Sequence, residues 1–272
     1  MQLKISDSIL SAIGSTPLVR LNKITNKNSK IAHHQFFAKM EYFNPGGSTK
    51  DRIALALIEA AEKRGELKAG GTIVEATAGN TGMGLALVAA VKGYKCIFVL
   101  PAKMSEEKRA MLRAYGAKVV ITPTGVEPDD PMSHYSVAKK IATSLKAKTN
   151  NCFYANQYHN LDNMQAHYQM TGPELWNQTN GEIDYFVAGV GTGGTLSGVA
   201  KFLKEKNPNA KILCTDPVGS ILYDLFYHGK VIDPPGAYKV EGVGEDMLPD
   251  NCKLKLYDDF IKVNDQEAFA TT

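Results

Sequence analysis

Near its fiftieth position the chain reads Asn44-Pro45-Gly46-Gly47-Ser48-Thr49-Lys50-Asp51-Arg52. Pro45 and the two glycines interrupt any preceding element, and Ser48 with Asp51 three residues later is typical of a helix start. Apolar residues then follow Lys50 at helical spacing: Ala54, Leu57, Ile58 and Ala61. The pattern therefore predicts a helix that carries Lys50 on the apolar face of its first turn. The water-facing side is predicted to carry Asp51, Glu59 and Glu62.

A lysine in this position suits chemistry with a carbonyl group. Partial burial and the positive end of the helix dipole both disfavour the ammonium form, so we expect a lowered pKa for Lys50. The neutral amine can then attack a carbonyl carbon and form a Schiff base. The simpler interpretation is a first-turn lysine that extends its charged end into water, and this stretch alone favours it.

Composition limits the class of protein. With 272 residues, 44% apolar and 22% charged, the chain is predicted to be a soluble globular protein of one large or two ordinary domains. A net charge of +3 gives no reason to expect a nucleic-acid or membrane partner. The N-terminus lacks the apolar core of a signal peptide, and no later stretch could span a bilayer. We therefore expect a cytoplasmic location.

The four cysteines show no C-x-x-C spacing, and three lie in apolar, strand-like runs. They are Cys96, Cys152, Cys214 and Cys252. We interpret them as core thiols and predict neither a disulfide nor a metal site.

Short apolar strands alternate with helices along most of the chain. Two short strands are predicted first, at 15–21 and 36–40. Further strands are predicted at 72–75, 95–100, 118–122, 152–155, 184–188 and 211–215. Helices are predicted at 81–91, 105–115, about 133–145, 167–176 and up to 204, with another beginning near 265. This alternation indicates crossover units, so the predicted fold class is α/β with two open, mostly parallel-sheet domains.

The loop Gly189–Thr195 follows a predicted strand and opens a helix. Its backbone N–H groups can surround an anion that the helix N-terminus also favours, which indicates a phosphate site. The same loop satisfies G-x-G-x-x-G, with Asp216 at the end of the next strand, so an NAD-dependent oxidoreductase is one alternative. A tight strand–helix turn without a ligand is another. Gly193 makes the loop richer in glycine than the dinucleotide pattern requires, which favours a compact monophosphate.

A second loop, Thr77–Gly82, also lies between a predicted strand and helix. Its hydroxyls, amide and N–H groups can hold a carboxylate at the positive helix end, although a simple N-cap is an alternative. A nucleophilic lysine, a phosphate site and a carboxylate site together indicate pyridoxal 5'-phosphate with an amino-acid substrate. A Walker A loop is excluded because no glycine directly precedes Lys50.

Over nearly its whole length the chain resembles the fold-type II pyridoxal-phosphate enzymes of the cystathionine β-synthase and cysteine synthase family, which share a tryptophan synthase β-like fold. The motifs that carry the resemblance are Gly14–Leu18, Gly47–Arg52, Thr77–Gly82, Gly191–Thr195 and Glu241–Gly244. The resemblance implies a smaller mobile domain, 41–158, that binds the substrate carboxylate. It also implies a larger domain, 1–40 with 159–272, that holds the cofactor phosphate, and a homodimer.

The resemblance also implies roles for individual residues. Lys50 would hold the cofactor covalently, and Asn80 would hydrogen-bond its 3' oxygen. The phosphate would be held by Gly191, Thr192, Gly193, Gly194 and Thr195. The substrate would be bound by Thr77, Ala78, Gly79, Thr81, Gln157 and Gly242. The partners implied are a small amino acid and a thiol.

The implied reaction is β-replacement on serine or an activated serine. Segments closer to cystathionine β-synthase are Asn44–Ser48, Ser133–His134, Gln157–Asn160, Ala166–Tyr168 and Tyr238–Gly242. Thr171–Trp176 is closer to cysteine synthase. We therefore expect serine and homocysteine to give cystathionine, the alternative being O-acetylserine and sulfide giving cysteine. A non-catalytic cofactor-binding descendant is a further alternative. His134, His159 and His167 are each interpreted as packing or helix-surface residues.

Three positions depart from the family pattern. Ala78 stands where serine is usual and removes one hydroxyl from the carboxylate site. Thr49 stands where valine is usual, a change we expect to be tolerated. The chain stops at Thr272, before the glycine–serine segment with which the family contacts the pyridine nitrogen, so we assign no residue to that role and expect a truncated chain.

Overall fold

The computed structural model describes residues 5–23, 31, 33–77, 79–127 and 129–272. The chain divides into two compact units, Met1–Asn156 and Gln157–Thr272. Each unit contains its own parallel sheet, of four strands in the first and three in the second. The predicted α/β class with two parallel sheets is therefore confirmed. The assignment of separate roles to 41–158 and to 1–40 with 159–272 stays a prediction.

The first unit begins with a short antiparallel pair, β1 (Leu18–Arg20) and β2 (Phe37–Lys39). The elements that follow are α1 (Lys50–Lys63), β3 (Thr72–Ala76), α2 (Asn80–Lys92), β4 (Lys95–Pro101), α3 (Glu106–Ala114), β5 (Lys118–Thr122), α4 (His134–Thr149) and β6 (Cys152–Tyr154). The parallel sheet has the order β5-β4-β3-β6. A short 3-10 turn, Glu41–Phe43, lies between β2 and α1.

The strands of this sheet are short apolar runs because they are covered by helices. Val74 and Val99 are fully buried and pack with Ala138 and Ala142 of α4. Phe98 and Leu100 of β4 are also fully buried. Near-continuous apolar strands are the expected sequence for a parallel sheet, whose crossover helices cover its faces.

The second unit contains α5 (Asp162–Ala166), α6 (Gly172–Gln178), β7 (Tyr185–Gly189), α7 (Gly194–Lys206), β8 (Lys211–Pro217), α8 (Leu222–His228), β9 (Asp259–Val263) and α9 (Asp265–Thr271). Its sheet has the order β7-β8-β9, and all pairs are parallel. Helix α7 packs its buried residues Leu196, Val199 and Leu203 into the core of this unit. The predicted helix near residue 265 is confirmed, with a capping box between Asn264 and Glu267.

Most predicted elements are confirmed, with shifted ends. Strand β5 has the predicted bounds, whereas α4 runs to Thr149, past the predicted end at residue 145. The helix predicted at 167–176 is interrupted, because His167–Thr171 forms a π-helical turn between α5 and α6. Pro173 follows in the first turn of α6 and has no N–H to donate, so regular α-helical bonding cannot continue through this point.

All four cysteines are free and buried, as predicted for core thiols. Burial raises the pKa of the Cys96 thiol to about 12. Burial is also the largest influence on the Cys252 thiol, whose pKa is raised to about 11. Among the helices that the structure describes, none is both long and apolar enough to cross a membrane.

Candidate active site

A buried polar network holds the loop that leads into α1. Arg52 donates from Nε to Oε2 of Glu41 at 2.7 Å and from Nη2 to Oε1 at 2.8 Å. The Thr16 hydroxyl donates to the same carboxylate at 2.7 Å, and the Asn44 amide donates to it at 3.0 Å. Burial, the largest single influence, favours the neutral form of Glu41, but the charge of Arg52 and the hydrogen bonds from Arg52, Thr16 and Asn44 together hold its pKa below the usual value. The approach to Lys50 is therefore fixed by a bidentate ion pair.

Asp51 corrects two details of the sequence analysis. Its side chain is 0% exposed, so it does not lie on the water-facing side of α1. The helix begins at Lys50 with Thr49 as N-cap, and the Asp51 carboxylate accepts the Gly46 N–H instead of capping Ser48. Gly46 permits this contact because a Cβ there would overlap the carboxylate. Burial, and secondarily the nearby Glu41 charge, raises the pKa of Asp51 to about 6.

Lys50 is half-buried and begins α1 beside the first turns of α2. The contact depends on Gly84, because a Cβ at this position would lie 3.0 Å from the carbonyl oxygen of Lys50 and 3.0 Å from Cβ of Ala54. Larger side chains would hold the two helices further apart. Because Gly84 lies about one turn after the start of α2, the N-terminal turns of both helices lie side by side.

Two hydrogen bonds from backbone N–H groups hold the start of α2. The hydroxyl of Thr77 accepts the N–H of Gly79 at 3.4 Å, and the Gly79 carbonyl accepts the N–H of Met83 at 3.3 Å. Thr77 and Thr81 are buried, whereas Asn80 is exposed at the first position of α2. The first N–H groups of a helix lack intrahelical acceptors and form an anion site. Ala78 lies outside the described residues.

The glycine loop of the second unit is packed directly against backbone. Gly193 has φ +85°, and a Cβ on it would lie 2.6 Å from the backbone nitrogen of Cys252. A Cβ on Gly191 would lie 2.6 Å from the carbonyl oxygen of Gly242. Only glycine fits these two positions. The loop leads into α7 at Gly194, so the orphan N–H groups of that first turn are available to a compact anion such as a phosphate.

Two buried asparagines bind the Gln157 carbonyl, and one of them also reaches this loop; neither was predicted from the sequence. Asn163 donates from Nδ2 to the carbonyl oxygen of Gln157 at 2.8 Å and to the Thr192 hydroxyl at 3.0 Å. Asn251 donates to the same Gln157 carbonyl at 3.0 Å. The structure thereby brings Gln157 and the glycine loop together. Asn163 could have been singled out from the sequence, because asparagine is unfavourable inside a helix and its presence there indicates a specific contact.

The Glu241–Gly244 motif also reaches the glycine loop. Gly244 donates its N–H to the carbonyl oxygen of Val190 at 2.7 Å, immediately before Gly191. Gly242 has φ +83° and lies against Gly191. The predicted residues thus form two groups, with Lys50 and Thr77–Thr81 in the first unit and Gln157, Gly191–Thr195 and Gly242 in the second.

Asp216 does not have the setting of a ribose-binding acid. Its carboxylate is 0% exposed, and Oδ2 accepts the N–H of Tyr223 at 3.0 Å. Burial is the largest influence on this carboxyl and raises its pKa. A carboxylate that is buried in the core and accepts a backbone N–H is not the accessible acid that a ribose site needs. This setting argues against the dinucleotide interpretation.

The three singled-out histidines differ in setting. His134 begins α4, and its pKa is lowered by burial and by the charge of Lys103. His159 is exposed and pairs with Asp250 at 3.0 Å. His167 is 1% exposed and lies in the π-helical turn.

A tight glycine loop that opens one helix, and a lysine at the start of another helix, fit the class of enzymes that use pyridoxal phosphate. The chain belongs to the family of pyridoxal-phosphate dependent enzymes, whose model matches residues 9–272. The cofactor of this family is pyridoxal phosphate, as the sequence analysis expects, and the tight glycine loop at the start of α7 fits its phosphate.

Enzymes with two different activities resemble this chain. The cystathionine beta-synthase of Apis mellifera is 48% identical over 265 residues, covering 97% of this chain and 51% of the relative. A cysteine synthase of Staphylococcus aureus is 45% identical over 269 residues, covering 98% of this chain and 81% of the relative. A solved cysteine synthase of Entamoeba histolytica has a TM-score of 0.85 at 35% identity, covering 98% of this chain and 75% of that one. The chain spans about half the length of the cystathionine beta-synthases it matches.

Proposed function

We propose that the protein catalyses β-replacement on serine with homocysteine as the thiol, giving cystathionine. The observation that carries this proposal is the contact of Gly84 with the backbone of Lys50, which sets the turn that bears this lysine beside the first turns of α2 within one unit. A β-replacement enzyme needs these two elements together, because it must hold an amino-acid carboxylate close to the group that moves the Cα proton.

Each predicted residue has a defined part in this proposal. The amine of Lys50 holds the cofactor aldehyde at rest, and the amide of Asn80 hydrogen-bonds its 3' oxygen. Hydroxyl and N–H groups of Thr192 and Thr195, with the N–H groups of Gly191, Gly193 and Gly194, hold the phosphate. The proposal assigns Thr77, Ala78, Gly79 and Thr81 to the substrate carboxylate, and it also assigns Gln157 and Gly242 to substrate binding.

Lys50 also carries the proton in the proposed reaction. When bound, pyridoxal phosphate supplies a ring that accepts electron density from the substrate Cα. The amine of Lys50 would take the Cα proton of the bound amino acid as general base and return it after the thiol has replaced the β-hydroxyl, which leaves with the thiol proton as water. The carboxylate contacts at Thr77–Thr81 orient the Cα–H bond for this transfer.

The choice of serine and homocysteine rests on the sequence segments closer to cystathionine β-synthase, among them Gln157–Asn160 and Tyr238–Gly242. Relatives with both activities resemble this chain to a similar degree. The second candidate is therefore cysteine synthase, favoured by the segment Thr171–Trp176. A homodimer in the cytoplasm is part of the same proposal.

A competition experiment separates the candidates. The protein and pyridoxal phosphate receive serine, O-acetylserine, homocysteine and sulfide together, with one amino-acid donor isotope-labelled, and the products are identified by mass spectrometry. A Lys50→Ala variant serves as the inactive control, and Lys63→Ala, at the exposed end of the same helix, as the matched active control.

Three outcomes are distinguishable. Mainly cystathionine supports the proposal. Mainly cysteine moves the protein to the second candidate. Cofactor binding without either product would identify a non-catalytic descendant and contradict the proposed activity.

A further inference from the structure

His167 links the glycine loop to the π-helical turn. Its Nε2 lies 3.0 Å from the hydroxyl oxygen of Thr195, and its Nδ1 lies 2.9 Å from the hydroxyl oxygen of Thr171. His167 and Thr171 are 1% and 3% exposed, whereas Thr195 is half-buried in the first turn of α7. The ring therefore connects an enclosed hydroxyl to one that belongs to the proposed phosphate site.

The packing around His167 shows a close approach of two helical segments. A Cβ on Gly198 of α7 would lie 2.7 Å from Cβ of His167 and 2.8 Å from the backbone nitrogen of Tyr168. Only a glycine at 198 allows the π-helical turn to come this near to α7. Single π-helical turns occur frequently at functional sites.

The direction of each hydrogen bond follows from the requirement that the Thr195 hydroxyl donates to a phosphate oxygen. A threonine hydroxyl has one proton, so Thr195 can donate to a phosphate oxygen only if it accepts from its other neighbour. That neighbour is Nε2 of His167, which must then carry the ring proton. In the neutral ring Nδ1 is then left as an acceptor, and the hydroxyl of Thr171 donates to it.

We propose that His167 is a positioning residue that, held by Thr171 in the tautomer protonated on Nε2, turns the hydroxyl proton of Thr195 toward the cofactor phosphate. This inference rests on the proposed role of the glycine loop in holding that phosphate. It assigns His167 a function through Thr195 and no direct contact with the reacting atoms.

The affinity test uses two aldehydes that differ only in the phosphate. The apoprotein and its variants are titrated separately with pyridoxal 5'-phosphate and with pyridoxal. Thr171→Val, which is close in shape, and His167→Gln are expected to lower the affinity for pyridoxal phosphate by about ten-fold. This loss corresponds to roughly one hydrogen bond to a charged group. Pyridoxal should bind to these variants as it does to the unaltered chain.

Two control variants separate positioning from packing. Thr171→Ser keeps the hydroxyl and should restore the affinity for pyridoxal phosphate. Thr179→Val removes a hydroxyl that bonds the Leu175 carbonyl in the same region and should change neither affinity. Equal losses for both aldehydes would show a structural role only and would overturn the inference.

The tautomer can be read without any ligand. In apoprotein labelled with 15N-histidine, the inference requires a single ring proton on Nε2 of His167, and a proton on Nδ1 would overturn it. Failure of the proposed function looks different, because the unaltered chain would then give no cystathionine, whatever its affinity for the two aldehydes. If it gives cystathionine and the variants keep their preference for the phosphate, the inference alone fails.

Discussion

The α-carbon of Gly84 lies so close to the carbonyl oxygen of Lys50 that an added Cβ would be only 3.0 Å from it. The contact is between two backbones, so neither partner can rotate away. It sets the spacing of α1 and α2 and, through them, of the lysine and the proposed carboxylate site.

Gly84→Ala should therefore impair the protein even though alanine is the better helix former. The added methyl must push α2 away from α1, because it would lie 3.0 Å from a backbone oxygen. Overpacking of this kind costs about 1–3 kcal/mol against roughly 1 kcal/mol gained in helix propensity, so we expect a net loss of up to about 2 kcal/mol. We expect a lower midpoint of urea unfolding and weaker amino-acid binding. Gly236→Ala is the matched control, because its Cβ would meet only Gly219 at an ordinary 3.5 Å. An unchanged or raised midpoint in Gly84→Ala would contradict the account.

Asp51 should make stability depend on pH. Its pKa is about 6 in the folded protein against an ordinary 3.8, so the folded state favours the protonated acid. The stabilisation is complete below pH 3.8 and is lost as the pH rises through 6. The free energy of unfolding should therefore fall relative to that of Asp51→Asn over this window, by up to about 3 kcal/mol.

Urea titrations of both proteins across this pH range measure the difference. Asp7→Asn, at an exposed position, is the control and should show no such trend. A difference between the chain and Asp51→Asn that stays constant with pH would show that Asp51 does not titrate there.

Ala78→Ser should strengthen amino-acid binding. The serine would restore the hydroxyl that the family usually places in the carboxylate loop, and one hydrogen bond contributes about 0.5–1.5 kcal/mol. We expect the KM for the amino acid to fall by about two- to ten-fold while the KM for the thiol stays the same. Ala78→Gly is the comparison that changes the residue without adding a hydroxyl. A serine variant with the same amino-acid KM as the unaltered chain would remove Ala78 from the substrate site.

The fold could be predicted from the sequence because its signals are local. Strands such as β4 are buried runs of apolar residues, and the helices between them repeat at their own period, so the alternation is visible in short windows. The glycine loops were visible for the same reason. At Gly193 the need for a positive φ and for close backbone contact is met by the one residue type that allows both.

The contacts that individual polar side chains make in the folded chain were not predicted. Asp51 looks like an exposed helix-start acid until the turn brings the Gly46 N–H to it. Asn163 acts through Gln157 and through Thr192, which is 29 residues away along the chain. His167 looks like a packing histidine because neither Thr195 nor the π-helical turn that presents it is evident from spacing. Each of these depends on which groups the folded backbone brings together, and residue spacing alone does not specify that.

The central claim is that Lys50 holds pyridoxal phosphate, and borohydride reduction tests it most directly. The protein is incubated with pyridoxal phosphate, reduced, digested and mapped by mass spectrometry, with Lys50→Ala and Lys63→Ala treated in parallel. The account predicts a yellow protein that bleaches on reduction, with the cofactor mass on the peptide containing Lys50 and on no other. It predicts the same label in Lys63→Ala and none in Lys50→Ala. A label on a different lysine, or a Lys50→Ala protein that still binds the cofactor covalently and turns over substrate, would contradict it.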